Sequence, residues 1–563
     1  LARILITTPE SLDSLLARRA GELRSLQWLF LDELHLLSTV ARGDQLRCLV
    51  ERLERLNGRS LQRCAASATL PEAQRLAWRF LGADALLARG ASASTRPIEA
   101  RLRKAESVAE VCAEIAALYH EAPGRKLLVF ANARALVESI SSGLLGDARL
   151  RGKVFAHHGS LSRAERLRVE RLFLDTPTAI CVATMTLELG IDIGDVDRVV
   201  LLGPPPDVSS LLQRVGRANR GGECTQALGL YANRLEQRRF EHLLECASAG
   251  KLFTDEVAFR PTAIAQQSLS LLFQNPKRWI SAQGVFSRLP EEVQQQYSLA
   301  DCESVLQRLG QSGWLRQASG GRWVAEDAAQ QAFRYGRLHS LIRDTRETEV
   351  IDELTGRTVG RVRLAEKERS RLDGGGQVGL ALGGRSHVSS RFRDERLYVR
   401  AGAKEELSAR FSRREAARYS VGLARDFARF LGIGASVITM QSIGEGSYRV
   451  GHFMGSVWGV LFVALLEAQG YHPQRRSAGP FFVDVERWPD GQSVLGTSEA
   501  VLQMVGRRLE RNMRRLSRAL QPGAFQNQVP ELLLSRWVQS SVDLPGFAQR
   551  VSGMRLELSG EVP

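Results

Sequence analysis

Trp28 to Leu37 reads WLFLDELHLL, an apolar run that ends in two adjacent carboxylates, Asp32 and Glu33, with His35 just behind them. Nucleoside-triphosphate machines hold Mg²⁺ and aim a water at phosphate with such a pair. Alone, an Asp-Glu pair is a common surface feature, but a strand tip holds carboxylates still. The stretch QRCAASAT then releases Ser67 and Thr69, short hydroxyls that can hydrogen-bond across to the acidic pair and relay its state. By themselves they would read as a turn cap. Farther on, QRVGRANRGG sets Arg214, Arg217 and Arg220 around Gly216 with Gln213 one turn ahead. An arginine delivered onto a γ-phosphate stabilises transition-state charge and is worth roughly 10³–10⁵ in rate. A basic helix end is the plainer reading, yet it does not explain the preceding ATMTLELGIDIGDVD, which ends a strand at Thr184 and turns through Gly190, Asp192 and Gly194. The phosphate-cradling loop GxxxxGK[ST] does not occur in the chain.

The elements that must hold these residues alternate in type. ARILITT has a buried-strand pattern, Thr8 an N-cap position with Pro9 at the first helical residue, and ESLDSLLARR a helix. WLFLD, RGDQLRCLVERLERL and QRCAASAT continue as strand, helix, strand, the rhythm of a parallel α/β sheet. A second such unit begins near Arg96, and Asp32, Asn132, His158 and Thr184 all fall at strand carboxyl ends, where ligands of such sheets sit. After residue 240, three short helices and a hairpin turning at Ser319-Gly320-Gly321 give a winged-helix pattern. Short strand-like pieces over 333–402 suggest a small β barrel, and 403–563 reads as mainly helical. The expected domains are thus 1–95, 96–240, 241–332, 333–402 and 403–563.

Within the last of these, LQMVGRRLERNMRRLSRAL, residues 502–520, is read as one helix. Leu502, Val505, Leu509, Met513, Leu516 and Leu520 fall on one face, and Arg507, Arg508, Arg511, Arg514, Arg515 and Arg518 on the other. The arginines form either a rail for phosphates or a solvated face with ion-pair partners; with Glu510 alone nearby, the rail is favoured.

Length and composition frame these readings. A chain of 563 residues suggests about three to five domains. The 77 Lys+Arg against 62 Asp+Glu, net +15, point to a polyanionic partner, with a codon bias toward Arg as the alternative. The 7 cysteines include no CxxC pair, which argues against zinc ribbons, iron–sulfur clusters and disulfide frameworks and fits a reducing bacterial cytosol. The longest apolar run, Val457 to Leu466, is too short for a bilayer span and reads as a buried helix, so no membrane partner is expected. Residue 1 is Leu, and the sequence is expected to begin inside a longer gene product.

In order, TTPES, DELH, SAT, LLVFANAR, HHGSLSRAER, ATMTLELGID and QRVGRANR resemble motifs Ib, II, III, IV, IVa, V and VI of superfamily 2 DExH helicases. The likeness is greatest to the large helicase-related, or Lhr, type, with LHSLIRDTRETEVIDELTGRTVGRV and LALGGRS resembling its barrel domain. It is close over about residues 1–400 and loose beyond. The resemblance implies two RecA-like parallel-sheet domains, the first incomplete and cut before motif Ib, then winged helix, β barrel and helical domain. It implies ATP and Mg²⁺ as cofactors, with Asp32 on the metal and Glu33 activating water. His35, Ser67, Thr69, Gly190 and Asp192 would couple nucleotide state to grip, and Gln213, Arg217 and Arg220 would face the triphosphate, Arg220 as the finger. Thr8, Pro9, Asn132, Arg134, His158 and Thr184 would line a nucleic-acid track, holding sugar-phosphate without reading sequence.

The chain departs from the family pattern at Ala133, where a hydroxyl residue is usual, at Met185, often Ser, and at His387, often Trp. Trp314 and Trp323 flank the wing and could stack on bases instead, although such tryptophans are more often core. The implied function is an ATP-dependent helicase or translocase, moving 3′ to 5′ on single-stranded DNA, in DNA repair. The rivals are a non-catalytic nucleic-acid-binding relic, supported by the missing phosphate loop, and an RNA-directed helicase. A nuclease finds no further carboxylate or histidine cluster. Residues 1–563 alone are expected to bind nucleic acid without meaningful ATP hydrolysis.

Overall fold

The computed structural model describes residues 4–67, 73–88, 97–121, 125–187, 196–218, 224–341, 347–364, 366–394, 396–402, 418–444, 446–486 and 495–558. The chain divides into two compact units. One comprises Leu1–Ala88, Phe253–Asp344 and Arg418–Val562; the other comprises Arg89–Leu252 and Thr345–Ala417. The expected α/β architecture with winged helix and barrel is present, distributed over these units.

In the first unit, Thr8 caps the helix Pro9–Arg19, its hydroxyl accepting from Ser11 N at 3.3 Å. The strands Trp28–Leu31 and Gln62–Ala65 pair in parallel, with the helix Ala41–Asn57 between them in sequence. The expected strand at ARILITT is not formed by residues 4–8, and Ile4 and Ile6 are 81% and 93% exposed. An apolar alternation becomes a strand only against a partner, and neither of the two strands here pairs with it.

The winged helix carries the helices Pro261–Gln274, Ala282–Phe286 and Leu299–Gln311, and the hairpin Leu315–Ala318/Arg322–Ala325 turns through Gly320 and Gly321, both at positive φ. Trp323 is buried and Trp314 half-buried against the same core, so neither serves as an open stacking platform. Residues 418–558 hold six helices longer than one turn. They also carry a five-stranded sheet, in the order His472–Pro473, Phe482–Glu486, Ser447–Gly451, Val437–Gly444, Arg555–Leu558, which the mainly helical expectation lacks. The apolar run is the core of the helix Gly455–Ala468. The single basic helix expected over 502–520 is two, Ser498–Gly506 and Leu509–Leu520, parted at Arg507 and Arg508 just after Gly506, the residue with the poorest helix propensity there. Among the described residues, no helix is long and apolar enough to cross a membrane.

A buried charge ties this unit together. Asp13 and Arg52 meet at 2.6 Å with side chains 0% and 1% exposed. Arg52 Nη1 also donates to Gln267 Oε1 at 2.8 Å, and the other Asp13 oxygen receives Gln266 Nε2 at 2.9 Å and the His339 ring at 2.7 Å. Two helices of the α/β part are thereby joined to the first helix of the winged-helix part. Arg260 repeats the device, bonding Asp44 Oδ2 at 2.9 Å, Thr39 O at 2.5 Å and Gln521 O at 2.9 Å.

The second unit holds a six-stranded, all-parallel sheet in the order Ile98–Lys104, Thr225–Tyr231, Arg198–Leu202, Leu127–Ala131, Ile180–Ala183, Val154–His157. Its central strands are buried on both faces, as parallel sheets require. The helix Arg234–Ser248 runs through the boundary expected at residue 240. The barrel region is a five-stranded sheet in the order Thr358–Val362, Thr348–Asp352, Arg396–Ala401, Arg385–Arg393, Gly379–Leu382. Apolar side chains from all five strands converge on one interior with Leu161.

Burial alone would raise the Asp13 carboxyl, but Arg52 and His339 hold it below its ordinary value. A carboxyl depressed in the folded state contributes stability above its unfolded pKa, about 3.9, and loses it as pH falls through the lower folded value. Urea unfolding between pH 7 and 3 should therefore show stability of the native chain falling below about pH 4 more steeply than that of Asp13→Asn. Arg52→Met, which strands the carboxylate, should cost about 3–5 kcal/mol at pH 7 in the same measurement.

Candidate functional site

In the first unit the chemistry gathers where the two parallel strands end. Leu31 O accepts from Ala66 N at 2.9 Å and Ala66 O from Leu34 N at 3.1 Å, so the segments after both strands run side by side. Asp32 is exposed, and its Oδ1 accepts from Glu33 N at 3.0 Å, which fixes the carboxylate plane. Glu33 sits at φ 49°, ψ 45°, a left-handed conformation that costs an L-residue roughly 1–2 kcal/mol. That geometry turns the chain into the short 3₁₀ segment Leu34–Leu36 and presents the Glu33 carboxylate, 44% exposed, beside the His35 ring at 3.4 Å. The ring is 6% exposed, and its Nδ1 lies 3.2 Å from Ser67 Oγ, which also accepts from His35 N at 3.3 Å. The acidic pair and the serine leaving the neighbouring strand are thus linked as Glu33–His35–Ser67. Thr69, the second hydroxyl of that stretch, lies outside the described residues.

Mg²⁺ prefers hard oxygen ligands and keeps several waters, and the exposed Asp32 carboxylate fits a metal held together with phosphate oxygens. The chain offers no GxxxxGK[ST] loop to cradle the triphosphate itself.

In the second unit, Asn132, Thr184 and His158 follow three neighbouring parallel strands and so lie along one edge of the sheet. The structure brings them together but commits most of them inward. Asn132 donates to Leu202 O and Pro204 O, each at 3.3 Å, and accepts from Arg214 Nη1 at 2.9 Å. Arg214 also lies over the Phe130 ring at 5.6 Å. Arg134 donates to Ser160 Oγ at 2.6 Å and pairs with Glu347 at 3.1 Å. Thr184 is buried, its amide bonded to His157 O at 3.1 Å.

His158 does not line a track. It is 0% exposed, with Nε2 2.6 Å from Glu138 Oε1 and Nδ1 accepting from Ser160 N at 3.2 Å. Glu138 in turn accepts from Gly383 N at 2.6 Å and Gly384 N at 2.7 Å in the barrel region. Those glycines form a two-residue hairpin loop with φ 69° and 71°, the conformation that type I′ turns demand, and a Cβ on Gly384 would lie in van der Waals reach of Ala156 and Ser141. The histidine is removed from the nucleic-acid set because its ring orients a carboxylate that anchors another domain. Its neighbour His157 meets Glu170 at 2.9 Å, yet burial outweighs that contact and holds its imidazole below the usual value. Glu138, Ser160 and Glu347 escape a reading of motifs; the signal for Glu138 was its place one turn after Arg134 on the same helix.

Gln213 is half-buried on the helix Val208–Val215, and Arg217 follows at 8% exposure. Arg220, Gly190, Asp192 and Gly194 lie outside the described residues. On the last helices, Arg507, Arg511, Arg514 and Arg518 are all exposed, as the rail requires, whereas Arg508 lies 4.0 Å from Glu467.

Comparison with known proteins agrees with this geometry. Residues 2–76 match the DEAD/DEAH box helicase model and residues 106–222 the helicase conserved C-terminal domain model. The chain is 30% identical over 465 residues to ATP-dependent helicase Lhr-Core protein 2 of Thermococcus barophilus, covering 76% of this chain and 52% of that protein. It is 30% identical over 322 residues to the Lhr helicase/uracil glycosylase of Escherichia coli, covering 47% and 21%. The chain therefore spans about half or less of the length of these relatives. In fold it is similar to Mycobacterium smegmatis helicase Lhr bound to ssDNA and AMP-PNP, with TM-score 0.70, 21% identity, 99% of this chain and 82% of that one covered. It is also similar to the DUF1998 helicase MrfA bound to DNA, with TM-score 0.55, 15% identity, and 96% and 79% covered.

Two outcomes follow from the geometry. Glu33→Gly should relieve the left-handed backbone and raise the unfolding free energy by about 0.5–1 kcal/mol in urea titration, the mark of a carboxylate kept at a strained position for its chemistry. Glu138→Gln should turn an amide donor toward a glycine N–H and cost about 1–3 kcal/mol in the same assay.

Proposed function

We propose that this chain, which carries DEAD/DEAH-box and helicase C-terminal domains and has Lhr-type ATP-dependent helicases as relatives, acts as the motor part of an ATP-driven helicase that moves 3′ to 5′ on single-stranded DNA in DNA repair. Its homology implies ATP binding and hydrolysis. The observation that carries the reading is the Glu33–His35–Ser67 link, because it joins a carboxylate able to take a proton from water to the segment after the next strand. Asp32 would hold Mg²⁺, and Glu33 would accept the proton of the attacking water. Gln213, Arg217 and Arg220 would meet the developing phosphate charge, with Ser67 and Thr69 reporting nucleotide state to Thr8 and Pro9. Asn132, Arg134 and Thr184 keep a supporting part, since the first two already hold Arg214, Ser160 and Glu347 in place. The exposed arginines 507, 511, 514 and 518 would track phosphates by charge alone. A bacterial cytosolic setting fits this chemistry.

The second reading, a binding protein without catalysis, is favoured by the absent phosphate loop. It makes the same nucleic-acid contacts and differs in turnover. Residues 1–563 alone should bind single strands without appreciable ATP hydrolysis.

Turnover separates the readings. In a protein carrying these residues together with a phosphate loop, Glu33→Gln should lower DNA-stimulated kcat by at least about 10²-fold. Ser67→Ala should keep basal turnover and lose stimulation by DNA; stimulation equal to that of the native protein would overturn the relay. For binding, the slope of log Kd against log salt on single-stranded DNA should flatten by about 0.7 for each of Arg511→Gln and Arg514→Gln.

A further inference from the structure

The sheet-bearing part of the first unit, residues 418–558, carries a solvent-open pocket of about 260 Å³. Its lining combines Arg425, Arg429 and Arg550 with Phe453, Met454 and Trp458. Arg425 and Arg429 stand one turn apart on the helix Val421–Phe430 and so share a face, where like charges repel. Arg550 comes from the helix Leu544–Val551, close to the C-terminus of the chain. Three guanidinium groups are thus brought together by two separate helices. Among the described residues, the carboxylate within ion-pair range of them is Asp426, 3.9 Å from Arg429. Arg550 donates to the backbone carbonyl of Ala435, which fixes its direction without neutralising it. His452 also lines the cavity, and burial pushes its pKa down to about 3, so it is neutral and offers no anion. Burial, and then the charges of Arg425 and Arg429, depress the Arg550 guanidinium.

Guanidinium forks match phosphate oxygens two at a time. Phe453 and Trp458, 2% and 9% exposed, line the pocket from the core side and leave no ring face open to a base. We propose that this pocket binds a phosphate monoester group on Arg425, Arg429 and Arg550. The occupant is either a free nucleotide or the phosphorylated end of a strand; both present the same chemistry. The proposal does not rest on the helicase reading.

The test is arginine footprinting of the whole chain with hydroxyphenylglyoxal, read by peptide mass spectrometry, with Arg24, exposed and outside every proposed binding site, as internal control. The probes are inorganic phosphate, adenosine 5′-monophosphate, and single-stranded oligonucleotides with and without a terminal phosphate. Adenosine monophosphate and inorganic phosphate should both slow modification of Arg425, Arg429 and Arg550 at least tenfold and saturably, and Arg24 should be unaffected. Protection by the phosphorylated oligonucleotide but not by its hydroxyl-ended counterpart identifies a strand end as the occupant; protection by the mononucleotide alone identifies a free nucleotide. Because the readout is resolved by residue, nucleotide bound elsewhere does not register, and no mutant need fold. Calorimetry on Arg429→Gln and Arg550→Gln, where they fold, should find adenosine monophosphate bound at least tenfold more weakly. No protection by any probe, or equal protection of Arg24, overturns the pocket.

Discussion

A carboxylate with no exposure to water must have its charge met where it lies, and Asp13 meets that requirement with groups from three stretches of chain. Arg52 comes from the helix that packs on the Asp32 strand, Gln266 and Ser270 from the first winged-helix helix, and His339 from the segment after the wing. Burial opposes the ion, and the partners more than offset it. Removing one partner of such a buried pair leaves an uncompensated charge. The α/β part and the winged-helix part of this unit are thus joined at defined side chains. The hydrophobic core follows the same line, with Ala17, Ala41 and Cys48 contributing to the cluster centred on the winged helix.

The second unit solves the same problem with a different residue. Glu138, buried on a sheet-flanking helix, spends both oxygens on the amides of Gly383 and Gly384 and is steered by His158. Around it, Ser162 N bonds Val359 O at 2.9 Å and Arg361 N bonds Ser160 O at 2.7 Å, so the loop after Val154–His157 lies along an edge of the barrel sheet. Gly360 permits this approach, because a Cβ there would meet Ser160 O at 2.4 Å. A histidine that motif order assigns to nucleic acid thus acts here as an internal fastener.

What the sequence made legible is what local physics decides. The strand tips carrying Asp32 and Asn132, the capped helix after Thr8 and the wing at Gly320-Gly321 each depend on a few neighbouring residues, and each is found where it was expected. The link from Ser67 to the acidic pair was legible too, because both ends leave adjacent strands. What was missed depends on distant partners. Val437–Gly444 becomes a sheet strand partly by pairing with Arg555–Leu558 at the far end of the chain, and no local pattern announces that. His158 looks like an open strand-tip residue until Glu138 and a barrel hairpin close over it. ARILITT shows the reverse error: its period is that of a strand, but period specifies a face, not the partner that must cover it.

These fasteners bear on how the proposed motor would work. Each α/β part is fixed to its own accessory domain by buried, charge-satisfied contacts rather than by a hinge. The winged helix therefore travels with Asp32 and Glu33, and the barrel travels with Arg214 and Arg217. A displacement of the strand tip that carries the carboxylates is therefore shared by the winged-helix part of the same unit. Within that unit Glu33 keeps a left-handed backbone, and strain held beside the acidic pair is a feature the proposed chemistry would use.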